Sequence, residues 1–394
     1  MANDFPIGVG GLELTASDKK MVNKVLDSNR LSYGPYTRAF ESTFAKMHQS
    51  KFAVFTNSGT SSLHIALAAL KEKYGWSDGD EVIVPAVTFV ATSNVVLHNG
   101  MKPVFVDVDK RTFNIDPSLI EQKISARTRA IIPVHLLGLP ADMDPIMKLA
   151  KKHNLRVIED SAETMFAKYR NKSVGSFGDI GCFSTYIAHY IVTGVGGLNT
   201  TSKPDLAVML RSLMNHGRDS IYLSIDDDDK KSKKELRRII PRRFKFVRFG
   251  HSFRATEMEA ALGLSQLRRK DKIIHRRKTI AKMYKSELKN LSEYLDFQKI
   301  PKDREHVYMM FGLVDKSGNK RDLVNFLEDN LIETRDILPL INQPVYKKRF
   351  GELKKKYPVA DYINNAGFYI GCHQYISDKQ VHYIIEKFNE YFKQ

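Results

Sequence analysis

Between residues 50 and 200, short apolar runs alternate with longer segments whose apolar positions recur at helical spacing. Phe52-Ala53-Val54-Phe55 reads as a strand, and Ser61 to Lys73 as a helix carrying Leu63, Ile65, Ala66, Leu67 and Leu70. Glu81 to Pro85, Pro103 to Val108, Ala130 to Val134 and Arg156 to Glu159 are short, apolar and mostly rich in β-branched residues, as strands are. Pro145 to His153 supplies an intervening helix. This alternation predicts an α/β domain with helices around a mainly parallel sheet. Met258 to Leu267 and the Lys- and Arg-rich stretch after it predict one long helix joining two domains. Past residue 275, a strand-like Val307 to Val314 and a helical C-terminus predict a smaller α+β domain, giving residues 1–265 and 266–394 as the two units.

Composition narrows the chemistry. With 394 residues, 42% of them hydrophobic, the chain can bury a large core. Cys182 and Cys372 are too few for a disulfide scaffold or a cysteine-held iron–sulfur cluster and point to a reducing compartment. No basic leader precedes an apolar stretch, and no run approaches the ~20 apolar residues of a membrane span, so a cytoplasmic protein without membrane partners is expected. The formal charge of +17 favours an anionic partner. Nucleic acid, acidic lipid and phosphorylated small molecules all qualify by charge alone, but zinc-finger and aromatic RNA-binding patterns are absent, which disfavours nucleic acid. The charged insertion near 220–248 carries Asp226 to Asp229, followed by Lys230, Lys231, Lys233, Lys234, Arg237, Arg238, Arg242, Arg243 and Lys245. It reads either as a solvated loop or as a basic flap approaching a substrate diphosphate.

Four separated motifs suggest a site. Asn57-Ser58-Gly59-Thr60-Ser61-Ser62 lies between a strand and a helix, where backbone N–H groups and the helix dipole can meet a phosphate; simple capping would produce the same pattern. In Pro85 to Thr92, Phe89 follows a strand and is placed to stack on a planar ring or to join the core. Glu159-Asp160 ends a strand at the carboxyl edge, where α/β sheets place ligands. Phe183 to Gly197 contains Ser184, His189 and a glycine-rich turn.

In order and spacing these motifs resemble the DegT/DnrJ/StrS family of pyridoxal-phosphate sugar aminotransferases. Leu31-Ser32-Tyr33-Gly34-Pro35, Phe105 to Asp109, Val134 to Gly138, Gly250 to Gly263, Glu333-Thr334-Arg335 and Gln343-Pro344 extend the match over nearly the whole chain. The resemblance implies a type I aminotransferase fold with a seven-stranded-type sheet, a homodimer with sites near the subunit interface, and no metal. It places Gly59, Thr60, Ser61 and Ser184 near the cofactor phosphate, Phe89 over the ring and Asp160 at the pyridine nitrogen. Ser252 stands where the family commonly has an asparagine reaching the partner's phosphate, and Val195 replaces an acidic residue.

His189 stands at the cofactor lysine's position. Lysine holds pyridoxal phosphate as a Schiff base and shuttles the proton at C4′; imidazole can act only as the base. Histidine here is similar to a small branch, the nucleotide-sugar 3-dehydratases, and the lack of cysteines near the insertion favours the cluster-free GDP-4-keto-6-deoxymannose type. The expectation is noncovalent pyridoxamine phosphate, glutamate as amino donor and a nucleotide-linked 4-keto-6-deoxy sugar that loses its C3 hydroxyl. Glu163 is expected to tune the cofactor or position His189, with His216 and Arg218 as weaker substrate contacts. The alternatives are an aminotransferase, natural or with an engineered Lys-to-His exchange, and a non-catalytic relative.

Overall fold

The computed structural model describes residues 6–219 and 231–393. Its strands, in chain order, are β1 (Phe52–Thr56), β2 (Glu81–Pro85), β3 (Lys102–Val106), β4 (Thr128–Ile131), β5 (Arg156–Asp160), β6 (Lys168–Tyr169), β7 (Lys172–Ser173), β8 (Ile180–Ser184) and β9 (Gly197–Thr201), followed by β10 (Leu295–Phe297), β11 (Met310–Asp315), β12 (Thr334–Asp336) and β13 (Gly367–Gly371).

Seven strands form one sheet in the order β1-β9-β8-β5-β4-β2-β3. β3, β2, β4, β5 and β8 pair in parallel, while β9 runs antiparallel to both β8 and β1. Val82, Ile83 and Val84 of β2, with Val157 and Ile158 of β5, are buried on both faces, so these strands are continuously apolar rather than alternating. The predicted α/β layer and its mainly parallel sheet are therefore present.

A second sheet, ordered β10-β11-β13-β12, is antiparallel throughout. Phe311, Leu313, Phe368 and Ile370 pack there with Ile280 and Tyr284 of helix Lys270–Glu287 and with Val381, Ile384 and Phe388 of helix Asp378–Tyr391.

Two element predictions need correction. The single joining helix is two helices, Glu257–Leu267 and Lys270–Glu287, broken where Arg269 leaves helical geometry (φ −108°, ψ 6°). Two side chains hold the break: Arg269 donates to buried Asp18 at 2.7 Å, and Gln266 bonds both the N–H and the carbonyl of Val192. The strand expected from Val307 starts only at Met310, because Tyr308 adopts φ +51° and Val307 and Met309 donate to Gly138 and Leu137 instead.

Of the charged insertion, residues 220–230, Asp226 to Asp229 and Lys230 among them, lie outside the described residues. The described part includes a short helix, Lys233–Ile239, and a turn in which Arg242 pairs with Asp219. Among the described residues, no helix is long and apolar enough to cross a membrane.

Candidate functional site

The carboxyl ends of β1, β2, β5 and β8 open on one cavity of about 660 Å³, the edge at which open α/β sheets bind ligands. Gly59, Thr60, Phe89, Asp160, Glu163, Ser184 and His189 all line it.

After β1, Ser58 adopts extended geometry (φ −166°, ψ 159°) and caps helix Gly59–Tyr74 by accepting from the Ser61 N–H. Its hydroxyl also donates to Ser61 Oγ at 2.9 Å, so Ser61 is turned into the cap and Ser58, rather than Ser61, faces the cavity. A Cβ on Gly59 would lie 2.8 Å from the Ser184 Cβ. The glycine thus lets the helix start abut the end of β8, placing the first-turn N–H groups, exposed Thr60 and Ser184 at one end of the cavity. That is a donor set for a phosphate.

After β2, Phe89 opens the next helix with its side chain 57% exposed, which leaves a ring face free for stacking. At the end of β5, successive carboxylates point to opposite faces. Glu159 is fully buried away from the cavity, accepting from the N–H groups of Gly175, Phe177 and Gly178 and facing His135 at 3.2 Å. Asp160 lies on the cavity floor and accepts from Thr92 Oγ1 at 2.8 Å and from the Ala162 N–H at 3.2 Å. Burial raises its pKa, and those two donors partly offset the rise. No cationic side chain forms an ion pair with Asp160 among the described residues. A buried carboxylate lacking a cation suits a protonated pyridine nitrogen.

Glu163, half-buried, accepts from the Leu137 N–H at 2.8 Å. Burial pushes its carboxyl up to about 7, with the Asp160 charge adding and the Leu137 bond opposing. His189 Nδ1 lies 3.2 Å from the Tyr186 carbonyl. A carbonyl only accepts, so Nδ1 carries the proton and Nε2 is the free base. Burial lowers the imidazole to about 4, Arg277 adds to the fall and the Tyr186 bond opposes it, so His189 is neutral at physiological pH.

Three other predicted residues stay outside the cavity of their own chain. Ser252 and His216 both contact Arg254, at 2.9 and 3.3 Å. Arg218 is buried, with its guanidinium 5.6 Å from each of the Phe244 and Phe246 rings. The described part of the charged insertion does not line the cavity either.

Sequence reasoning missed the opposite wall. Arg335 of β12, Tyr369 of β13 and Glu333 just before β12 line the cavity, as do Met309 and Met310. Val9 and Gly10 close over it, and a Cβ on Gly10 would sit 2.9 Å from the Ala188 Cα. The glycines at 8, 10 and 11 were a visible signal for such close backbone approach.

The groups present therefore fit a pyridine-ring phosphate: donors at a helix N-terminus, a free aromatic face, a buried carboxylate and a neutral base. Fold and site together define a protein of the type I pyridoxal-phosphate-dependent aminotransferase fold. The chain belongs to the DegT/DnrJ/EryC1/StrS aminotransferase family, whose profile matches residues 13–389. That family comprises pyridoxal-phosphate-dependent sugar aminotransferases and 3-dehydratases. GDP-perosamine synthase of Escherichia coli O157:H7 is 37% identical over 382 residues, covering 96% of each chain. GDP-4-keto-6-deoxy-D-mannose 3-dehydratase of Escherichia coli O55:H7 is 31% identical, covering 93% of this chain and 95% of its own. A solved structure of the E. coli GDP-4-keto-6-deoxy-D-mannose-3-dehydratase with bound hydrated PLP superposes with a TM-score of 0.86 at 29% identity, over 98% of this chain and all of that one.

Proposed function

We propose that the protein is a 3-dehydratase acting on a nucleotide-linked 4-keto-6-deoxy sugar, with glutamate as amino donor. The observation that carries this reading is the base of the cavity: His189 presents a free Nε2, and among the described residues no lysine lines the cavity. Identity alone does not choose the activity, since relatives named as synthases and as dehydratases both match along the chain.

Pyridoxamine phosphate, when bound, supplies an amine for the sugar ketone and a ring that accepts electrons from C4′. The first turn of helix Gly59–Tyr74, Thr60 and Ser184 bind the phosphate. Phe89 would cover one ring face, and Asp160 would hold the ring nitrogen protonated; both line the cavity. His189 Nε2 would be the group that takes the C4′ proton, and being neutral it is in the required state before the reaction begins. Glu163, with its carboxyl near neutrality, holds a proton beside the cofactor. The stoichiometry balances: the sugar loses one oxygen, and glutamate becomes 2-oxoglutarate and ammonia.

The chain acts as a homodimer in this reading. The exposed phenyl rings of Phe244, Phe246 and Phe249 support such an assembly, since a row of this kind is costly to leave in water.

The reading requires a cofactor without a covalent tether. After incubation with pyridoxal phosphate and borohydride reduction, the intact chain should keep its unmodified mass, and cofactor should wash out on gel filtration. A cofactor adduct mapped to a cavity residue would refute it. The aminotransferase reading draws on the 37% and 36% identities to GDP-perosamine synthases and would be supported by an amino sugar product.

A further inference from the structure

Arg277 lies behind the cavity on helix Lys270–Glu287, only 1% exposed, and no carboxylate pairs with it among the described residues. Its Nη2 donates to the His189 carbonyl at 3.2 Å, while Nη1 donates to the carbonyls of Tyr308 at 3.2 Å and Met309 at 2.7 Å. Nε donates to Gln374 Oε1 at 3.0 Å, and the guanidinium carbon sits 4.7 Å from the Tyr190 ring centroid. One side chain therefore ties the segment bearing the base to the segment bearing Met309 on the facing wall.

We propose that Arg277 is the positioning residue of His189: it fixes the main chain of the base from behind and places an uncompensated positive charge next to it. The inference rests on reading His189 as the base. Satisfying carbonyls does not need a cation, since a neutral amide donates as well, and burying an unpaired guanidinium is costly. What the charge adds is resistance to a second cation on the adjacent imidazole, which keeps Nε2 unprotonated before the reaction and lowers its strength as a base.

The other charged and titratable groups around His189 are Tyr186 and Tyr190 on its own segment, Asp160 at the end of β5 and Glu163 after it, Glu333 and Arg335 at β12, and Tyr369 on β13. His373 is a further titratable neighbour of Arg277, lowered chiefly by burial and further by the Arg277 charge. Glu333 is paired with Arg335, and burial raises the carboxyls of Asp160 and Glu163, so beside burial itself the cation behind is the charge that acts on the ring.

The test is NMR of the His189 ring nitrogens in the full chain, assigned by their loss in His189→Asn, for the wild type, Arg277→Met and Arg277→Lys. The wild type should show the Nδ1–H tautomer and titrate well below the ordinary 6.5. Arg277→Met should raise the midpoint by about one unit and carry the acid limb of the kcat–pH profile up with it. Arg277→Lys keeps the charge and loses the fork, so its midpoint should stay low while kcat falls about tenfold. A wild-type midpoint at or above 6.5, an Nε2–H tautomer, or a folded Arg277→Met with an unmoved midpoint would each overturn the proposal. If Arg277→Met does not fold, a folded Arg277→Lys with wild-type rate and ring signals overturns it instead. The ring titration needs no turnover, so a failed dehydratase assay leaves this result readable by itself.

Discussion

Thr92 donates its one hydroxyl proton to Asp160 at 2.8 Å, so the 2.7 Å contact between Thr88 and Thr92 must have Thr88 as its donor. The two threonines form a directed relay that ends on the carboxylate of the cavity floor. Thr92→Val removes a buried bond to a charged acceptor, a contribution of roughly 1.5–3 kcal/mol. The Asp160 carboxyl should then rise further, and pyridoxamine phosphate should bind about tenfold more weakly by absorbance titration. Unchanged affinity would remove Asp160 from the cofactor contact.

The start of helix Gly59–Tyr74 is a second point of control. Gly59→Ala sets a methyl 2.8 Å from the Ser184 Cβ, so either the helix start or the end of β8 must move. The expected outcome is an overpacking loss of about 1–3 kcal/mol in denaturant titration, together with weaker cofactor phosphate binding. Normal affinity in a stable variant would show that the phosphate lies elsewhere.

Glu163 sets a pH dependence with a definite sign. Its folded pKa of about 7 lies above the ordinary 4.5, so the folded chain binds more protons than the unfolded chain between those values. Its contribution to stability is fully present below pH 4.5 and is lost as pH rises through 7. His189, lowered to about 4, contributes in the opposite sense. The useful quantity is therefore the difference between wild type and Glu163→Gln, in which the His189 part cancels. Without cofactor, the thermal midpoint of wild type should fall relative to Glu163→Gln between pH 4.5 and 7. A parallel course of the two curves contradicts the assignment.

His189→Asn separates binding from chemistry. Asparagine retains a polar side chain of similar reach but has no base near neutrality. Cofactor affinity should stay within about threefold of wild type while turnover falls by the roughly 10²–10⁴-fold that one general base ordinarily supplies. Residual turnover near the wild-type rate would assign the proton transfer to another group.

Much of this site was legible in the chain because its parts follow local rules. The Ser58-Gly59-Thr60 cap, the strand ending at Asp160 and the turn bearing His189 each declare themselves within a few residues. Long-range pairing was not legible. The break at Arg268–Arg269 depends on Asp18 and Val192, about 250 and 75 residues away in sequence, and no local signal interrupts the helical pattern there. The wall built by Glu333, Arg335 and Tyr369 comes from the second sheet, whose approach to the first is a property of packing. The place of Ser61 off the cavity lining was not legible either: a side chain three residues into a helix can turn back to the cap, as this one does toward Ser58.

The most direct test is mass analysis of the sugar after incubation with pyridoxamine phosphate, glutamate and a panel of nucleotide-linked 4-keto-6-deoxy sugars. The account predicts a keto sugar lacking one oxygen, formed together with ammonia and 2-oxoglutarate. An amino sugar that retains every ring hydroxyl would contradict it and make the protein an aminotransferase working without a lysine anchor.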